Sequence, residues 1–315
     1  MLLGFKSVYG DLVFNLMKIE KRVLMQKFRI LLLCLPFILY AKPVSVDEIF
    51  TPKHQFKILG SFSYINLQRK NFSLSPIPFQ MPDGSYISIP FAGYENINQD
   101  YLNFSLNARY GISKRVELFS TLNAFWQNSY AENNGIFSQQ SHGDFGSLNF
   151  GFLVEAKKEG KLPALLVGGS ADIVDQTYFS ATKKHLQYAK GYSLFATTFY
   201  TVDPIVFLLQ GSFRLNLPKR FEEAKINDAD IFSLSPMVYF AVNPYVSLNA
   251  GVRYQYQTKD RLNDVVVGSA GSSVGYMFGM AYEIKTKLIF FADIERLDTH
   301  TYSSNAINLT LSYRI

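Results

Sequence analysis

The sequence contains one cysteine, Cys34, among its 315 residues. Cys34 lies in an apolar run near the N-terminus, and Leu32 and Leu33 precede it where a lipoprotein signal would have small residues. The rest of the chain has no cysteine. This excludes a disulfide framework, a thiolate metal site and a catalytic cysteine from it.

Charged residues and tryptophan are scarce. Charged residues form 18% of the chain, below the usual quarter, whereas there are 28 Phe and 20 Tyr against a single Trp. A membrane-spanning helix needs a run of about 18 or more apolar residues, and the sequence has no run of that length. This argues against a helical inner-membrane protein.

The excess of positive charge is confined to the start of the chain. The net charge is +6, but residues 1–41 hold six basic and two acidic side chains. The remaining residues hold 25 basic and 23 acidic side chains, with no basic cluster that would neutralise a run of phosphates. A nucleic-acid partner is therefore not expected.

Residues 1–41 have the pattern of a secretory signal peptide. Lys27 and Arg29 precede the apolar run 30–40, and Ala41 provides a small residue for cleavage. An alternative start is Met25, because the preceding residues are unusual for such a signal. Residues 42–54 then form a short periplasmic segment, and residues 55–315 form the folded domain.

Most of that domain alternates apolar and polar side chains. In residues 245–256, six apolar or aromatic side chains occupy one face and five polar or small ones the other, which is the period of a β-strand. Repeated strands with aromatic residues on the apolar face predict an all-β, transmembrane antiparallel up-and-down barrel. A soluble β-sandwich would not expose Tyr and Phe on so many strands.

Twelve strands are predicted. They span roughly 55–67, 101–111, 115–127, 145–157, 162–174, 190–201, 204–216, 229–242, 245–257, 272–284, 287–297 and 304–315. An even number places both chain ends on one side, as in single-chain outer-membrane barrels.

The connections between these strands alternate between short turns and long loops. The long loops are 68–100, 128–144, 175–189, 217–228, 258–271 and 298–303. Short periplasmic turns and long outer loops are typical of outer-membrane barrels. The first long loop contains Pro82-Asp83-Gly84, a hairpin signal. This loop forms either a lid or two further strands, which would make fourteen.

A few charged side chains have the parity that points into the barrel. Arg109 and Glu117 are symmetric about a turn, which predicts an ion pair that fastens this hairpin. Higher in the barrel, charges of both signs point inward from Asp172, Arg214, Arg253, Asp293 and Glu295. They form either a transverse field that orients a solute or a salt-bridge network that fills the lumen.

Apolar side chains share the inward parity nearer the periplasmic end. They are Phe119, Val206, Leu208, Met237, Met277, Ile289 and Phe291. An apolar lower lumen would suit small hydrophobic or amphipathic solutes. The alternative interpretation is that these side chains plug the barrel, as they do in barrels of about eight strands.

No motif for catalysis, cofactor binding or metal binding is present. His54, His142, His185 and His300 lie in predicted loops or at strand ends, without the spacing of a metal site. Ser141 and His142 are adjacent, so their side chains would point apart in a strand. The sequence thus predicts no enzyme and no cofactor.

Two segments resemble a known family. Residues 109–118 (RYGISKRVEL) and 143–151 (GDFGSLNFG) resemble the Tyr-Gly-turn hairpin and the Gly-Asp strand start of outer-membrane transporters grouped with the phenol meta-degradation pathway. The last strand resembles a barrel-assembly signal, with Tyr313 third from the end, although it ends in Ile315 rather than Phe. The resemblance implies a passive channel and assigns no binding residues.

The sequence therefore predicts an outer-membrane channel or passive transporter of a Gram-negative bacterium, for small hydrophobic or aromatic solutes. Its partners would be membrane lipid, the barrel-assembly machinery and the solute. The alternative function is a closed structural or surface-interaction barrel that acts through its outer loops.

Overall fold

The computed structural model describes residues 50–69, 77–81, 83–89, 98–133, 136–178, 184–221, 224–299 and 302–315. The predicted signal peptide, the alternative start at Met25 and residues 42–49 of the periplasmic segment lie outside these ranges. No helix within them is long and apolar enough to cross a membrane.

The described residues form nineteen strands. They are β1 (Phe56–Arg69), β2 (Ile77–Gln80), β3 (Tyr86–Ile89), β4 (Asn98–Gly111), β5 (Val116–Asn133), β6 (Ile136–Lys157), β7 (Ala164–Tyr178), β8 (Lys184–Tyr188), β9 (Gly191–Val202), β10 (Ile205–Asn216), β11 (Lys219–Phe221), β12 (Ala224–Asn227), β13 (Ile231–Asn243), β14 (Val246–Gln257), β15 (Arg261–Leu262), β16 (Val265–Val266), β17 (Gly271–Lys285), β18 (Leu288–Asp298) and β19 (Tyr302–Arg314).

Twelve of these strands close into an antiparallel barrel. The order around the ring is β1, β4, β5, β6, β7, β9, β10, β13, β14, β17, β18 and β19, and β19 pairs with β1 again. At this seam the Ile315 amide donates to the Phe56 carbonyl at 2.8 Å. The prediction of a twelve-strand up-and-down barrel is confirmed.

The alternative of fourteen barrel strands is wrong. The two strands in the first long loop, β2 and β3, pair with each other in a separate two-stranded sheet and do not join the ring. The short strand β8 pairs with the outer end of β7, next to where β9 pairs with the same strand, so it continues the wall beyond β9.

The largest difference from the predicted boundaries is in the second hairpin. Residues 128–144, predicted as a long loop, belong almost wholly to β5 and β6, which pair from Val116–Val154 out to Asn133–Ile136. The sequence QNSYAENNGIFSQQS in this region is mostly polar and does not alternate regularly. It extends past the apolar band, so the alternation that marks a membrane strand is lost although the strands continue.

The outer face of the barrel is apolar. On β4, for example, Phe104 and Leu106 are 50% exposed while the alternate positions are buried. Phe62 and Phe104 pack edge to face on neighbouring strands, with ring centroids 5.1 Å apart. Such a surface is unfavourable in water and fits the hydrocarbon layer of a membrane.

Two of the long loops build a small cap at the end opposite the short turns. Strands β11 and β12 from one loop and β15 and β16 from another form a four-stranded sheet. Because short turns mark the periplasmic side, this cap lies on the extracellular side.

Candidate functional site

A hairpin formed by β2 and β3 carries the turn predicted at residues 82–84, of which Asp83 and Gly84 are among the described residues. The Met81 amide donates to the Ser85 carbonyl at 2.8 Å, and the Gly84 amide donates to the Met81 carbonyl at 2.9 Å. Gly84 has a φ of 94°, which a residue with a side chain rarely adopts. The hairpin signal in the sequence is therefore confirmed.

This hairpin lies inside the barrel, and we call residues 77–89 the inner hairpin. The Tyr86 hydroxyl donates to Ser233 Oγ on β13 at 2.7 Å, and Gln80 Nε2 donates to Ser212 Oγ on β10 at 3.0 Å. From the other side, Asn149 Nδ2 on β6 donates to the Tyr86 carbonyl at 3.1 Å. The described part of the first long loop is therefore neither an outer lid nor part of the wall.

The turn of the inner hairpin reaches the predicted ion pair. Arg109 Nε donates to Glu117 Oε1 at 2.7 Å, and Arg109 Nη1 donates to Asp83 Oδ2 at 3.0 Å. The Arg109 guanidinium also lies 5.2 Å from the centre of the Phe119 ring. All three charged groups are buried, so charge-assisted hydrogen bonds offset the loss of their hydration.

Arg109 and Glu117 are diagonal neighbours and do not lie directly opposite each other. Arg109 pairs with Phe119 in the register, and Glu117 pairs with Gly111. The turn at 112–115 is longer than three residues, with the Ser113 amide bonded to the Val116 carbonyl at 3.1 Å, and this sets the register.

The N-terminal segment contacts the same hairpin beside the Arg109–Glu117 ion pair. The Thr51 amide donates to Glu117 Oε2 at 2.6 Å, and the His54 amide donates to the Gly111 carbonyl at 2.7 Å. Phe50 packs on an apolar cluster inside the barrel. Sequence reasoning gave this segment no role, because a few irregular residues before the first strand carry no pattern.

The apolar cluster lies in the periplasmic half, between β5, β6, β7 and β9. Its buried members are Phe119, Leu153, Leu166 and Phe195, and Phe199 also packs against it. Leu208 and Val206 are buried on β10, while Phe291 is partly buried against Ala281 and Ile289 on the opposite wall. Met237 is partly exposed and Met277 is buried.

Asp172 and Arg214 form a buried ion pair near the extracellular end. Arg214 Nη2 donates to Asp172 Oδ2 at 2.5 Å, and Asn149 Nδ2 also donates to the Asp172 carboxylate. Both charged side chains are 2% exposed. This geometry matches the salt-bridge-network interpretation of these two residues.

Lys219 links the barrel to the extracellular cap. Its ammonium lies 2.7 Å from Asp175 Oδ2 and 3.0 Å from Asp228 Oδ2, and all three side chains are buried. Burial opposes the charge of Lys219, yet Asp228 and Asp175 hold its pKa above the ordinary value. Burial raises the pKa of Asp228. Sequence reasoning missed this cluster because loops have no periodicity that assigns a side chain to a face.

Of the three remaining charges predicted to point inward, Arg253 and Glu295 form an ion pair, whereas within the described ranges Asp293 does not. Arg253 Nη1 lies 2.7 Å from Glu295 Oε1. Asp293 accepts a hydrogen bond from Asn249 Nδ2 at 3.3 Å and has no cation within ion-pair distance among the described residues.

The inner hairpin packs closely against one half of the wall. Every inward position from Gln99 to Arg109 on β4 and from Val206 to Asn216 on β10 is buried. On the other half, inward side chains nearer the extracellular end, such as Ile65, Leu67 and Leu297, are buried in an apolar cluster, but several in the middle and periplasmic part keep partial exposure. They are Leu59, Ser61, Met237, Tyr239, Asn249, Phe291, Asp293, Glu295 and Asn308. Within the described residues, these partly exposed side chains line one side of the lumen, from β13 through β19 to β1, and we call that side the open wall.

No catalytic arrangement is found in the described part of the chain. Ser141 Oγ donates to Asn128, and the His142 ring nitrogen lies 3.7 Å from Asp144. No group of three or more metal-ligating side chains is present there. His300 lies outside the described residues.

A closed ring of twelve antiparallel strands with an apolar outer face defines a transmembrane β-barrel. Residues 151–314, more than half of the chain, match the model of the outer membrane protein beta-barrel domain. The chain belongs to this family, and its location is the outer membrane of a Gram-negative bacterium.

Two solved structures resemble this chain at low sequence identity, and the first of them shares its fold. An outer membrane channel from Pseudomonas putida F1 is 10% identical with a TM-score of 0.61, and the match covers 84% of this chain and 97% of that one. The CymD monoaromatic hydrocarbon channel is 11% identical with a TM-score of 0.46, and the match covers 83% and 88%. No curated protein matches the sequence.

Proposed function

We propose that this protein is a passive outer-membrane channel for small hydrophobic or aromatic solutes, and that it acts without a cofactor or a catalytic step. The P. putida structure that shares its fold is described as an outer membrane channel. The sequence resemblance of residues 109–118 and 143–151 supports placing it with the transporters grouped with the phenol meta-degradation pathway.

The observation that carries the proposal is the unequal burial of the two halves of the lumen. Side chains beside the inner hairpin are buried, whereas several on the open wall keep partial exposure in the middle and periplasmic part of the barrel. A barrel that served only as a scaffold would gain stability by filling this space, because interior voids cost dispersion contacts.

The apolar side chains nearer the periplasmic end support a hydrophobic solute. Phe291, Met237 and Leu59 belong to the open wall and are partly exposed. A solute that leaves water recovers about 25 cal/mol for each Å² of apolar surface that it buries against such side chains. Inorganic ions and sugars have little apolar surface to bury and gain no comparable free energy, so this wall favours apolar solutes.

The inner hairpin acts as the gate in this proposal. Its contacts with the wall include hydrogen bonds, such as those of Gln80 and Tyr86 with Ser212 and Ser233, and the apolar packing of Phe79 on a buried cluster. A net contribution of about 1 kcal/mol per neutral hydrogen bond allows exchange with water without unfolding of the barrel. Displacement of the hairpin widens the passage while the ring of strands stays closed.

Reconstitution into liposomes and planar bilayers tests the proposal. The wild-type protein should show channel conductance and should accelerate the entry of toluene or benzyl alcohol. A variant lacking residues 77–89, rejoined by a short Gly-Ser linker, should conduct several times more. Heat-dependent mobility in electrophoresis serves as the folding control.

The second candidate is a closed surface-interaction barrel, and the buried ion pairs around Arg109 and Arg214 favour it. In a closed barrel, removing the inner hairpin would leave conductance and solute entry at the background of empty liposomes. That result, with a correctly folded variant, would replace the channel proposal with the closed barrel.

A further inference from the structure

Asp293 occupies a continuous row of inward side chains across the open wall. Reading across the paired strands, the row runs through Tyr239, Asn249, Gly279, Asp293, Asn308 and Ser63. We call these residues the Asp293 row. Because barrel strands tilt by about 35–45°, the row climbs along the barrel axis, and a solute moving along the open wall passes its members in succession.

The carboxylate of Asp293 differs from the other charges predicted to point inward. Arg109 is paired with Glu117 and Asp83, Arg214 with Asp172, and Arg253 with Glu295. Asp293 has only the amide of Asn249 as a polar contact, and no cation lies within ion-pair distance in the described ranges. The row therefore carries an uncompensated negative charge.

The backbone on either side makes room for this carboxylate. A Cβ atom built on Gly279 would lie 1.9 Å from Asp293 Oδ1, so any larger residue would force the carboxylate away. The side chain thus lies flat across β17 towards Asn249 on β14. This arrangement keeps the charge on the wall and leaves the space in front of it accessible.

Asparagine oxygens without a hydrogen-bond partner in the described part of the chain lie on either side of Asp293 in the row. The Oδ1 atoms of Asn249 and Asn308 have no hydrogen-bond partner among the described residues, nor has Ser63 Oγ. Buried polar atoms are normally satisfied by water or by a ligand. Carbonyl oxygens on both sides of a carboxylate favour a ligand that donates hydrogen bonds and carries positive charge.

Soft and aromatic side chains complete the surroundings. Tyr239 belongs to the row and is partly exposed, and Met237 and Phe291 lie one inward position above and below it on β13 and β18. Aromatic faces attract ammonium groups by about 0.5 to 2 kcal/mol, depending on desolvation. Small organic ammonium ions meet all of these features, since they combine an apolar body with a donating cation.

We propose that the Asp293 row is a selectivity site that favours small organic ammonium ions over anions of the same size. This inference rests on the proposed channel function and adds a charge preference to it. Arg253, at a higher level of the same wall, does not oppose the preference because Glu295 balances its charge.

The test uses two solutes of matched size, benzylammonium and benzoate, with the full-length protein in liposomes. Benzylammonium should enter about tenfold faster than benzoate, as expected for one carboxylate in a partly hydrated passage. In Asp293→Asn this ratio should fall towards one. In bilayers under a KCl gradient, the reversal potential should shift from cation preference towards zero.

Asp264→Asn provides a control that removes the same charge from an exposed loop of the cap, and it should leave the ratio unchanged. Asp293→Lys should reverse the preference, and it provides a second reading if Asp293→Asn folds poorly. Equal entry of both solutes through a conducting wild-type protein would overturn the selectivity site and leave the channel intact. Absence of both conductance and solute entry would overturn the two proposals together.

Discussion

Asp83, in the turn of the inner hairpin, accepts a hydrogen bond from Arg109 of the barrel wall at 3.0 Å. Arg109 in turn donates to Glu117, and the other oxygen of Glu117 accepts the amide of Thr51. A loop that starts at the extracellular side and a segment that enters from the periplasmic side therefore meet at one buried carboxylate and one guanidinium.

Asp83→Asn should loosen the gate. The substitution removes the charge from the hydrogen bond with Arg109, and bonds to charged groups contribute about 1.5 to 3 kcal/mol. The population with a displaced hairpin should rise about tenfold or more, measured as single-channel open probability. Asp100→Asn, which alters an exposed carboxylate bonded to Tyr64 at 2.7 Å, should have no such effect. An unchanged open probability in Asp83→Asn would show that the contact does not hold the hairpin.

Glu117→Ala should destabilise the barrel by about 3 to 5 kcal/mol, because it leaves the buried Arg109 with one partner fewer and the Thr51 amide with none. Urea titration of the reconstituted protein measures this change. Glu159→Ala is the matched control at an exposed periplasmic turn, where the loss should stay below about 1 kcal/mol. Equal losses in the two variants would contradict the role assigned to Glu117.

Gly111→Ala should release the N-terminal segment. An added Cβ would lie 2.1 Å from the Pro52 carbonyl oxygen, which forces the segment away from β4. A Thr51→Cys reporter, buried in the parent, should then react with a maleimide at least tenfold faster. Gly60→Ala has nothing within 4 Å of its new carbon and should leave the labelling rate unchanged. Slow labelling in both variants would show that the segment tolerates the added carbon.

Lys219→Met should loosen the extracellular cap near neutral pH, because two buried carboxylates lose their shared cation. Hydrogen exchange at the amides of β11 and β12 should accelerate by at least 100-fold, which corresponds to a loss of about 3 kcal/mol or more. Lys225→Met removes an exposed partner of Asp264 and should change exchange less than tenfold. Comparable exchange in the two variants would contradict the prediction.

The stability of the cap should also depend on pH, in opposite senses in the wild type and in Lys219→Met. The pKa of Lys219 is raised in the folded state, so its contribution is complete below about pH 10.4 and is lost as the pH rises through the raised value. The pKa of Asp228 is raised as well, so in Lys219→Met protonation at low pH should restore protection of the cap. Hydrogen exchange between pH 4 and 11 measures both trends.

The ring of strands could be predicted from the sequence because lipid imposes a strict pattern on it. Each membrane strand must present apolar side chains on one face, and the period of two then fixes its position to within a few residues. Where the strands leave the membrane, as between 128 and 144, that requirement ends, and the prediction ended there too.

The contents of the lumen could be predicted only in part. The inward parity of Arg109, Arg214 and Asp293 follows from their strands, and the turn around Gly84 from its residue types. The inward course of the hairpin does not follow, since its contacts with Ser212 and Ser233 join residues more than 120 positions apart. Contacts of that range leave no periodic trace in one sequence.

The strand that closes the barrel, β1, also carries both pieces that fill it. The N-terminal segment leads directly into Phe56, and the chain that leaves β1 leads to the inner hairpin. Since β1 pairs with the last strand, β19, the ring cannot seal until the C-terminal residues have been delivered. Entry of the N-terminal segment and the inner hairpin into the lumen, and closure of the ring, therefore all depend on β1. A circular permutant opened at the 286–287 turn, with the native ends joined, would seal between β17 and β18 and separate the two events.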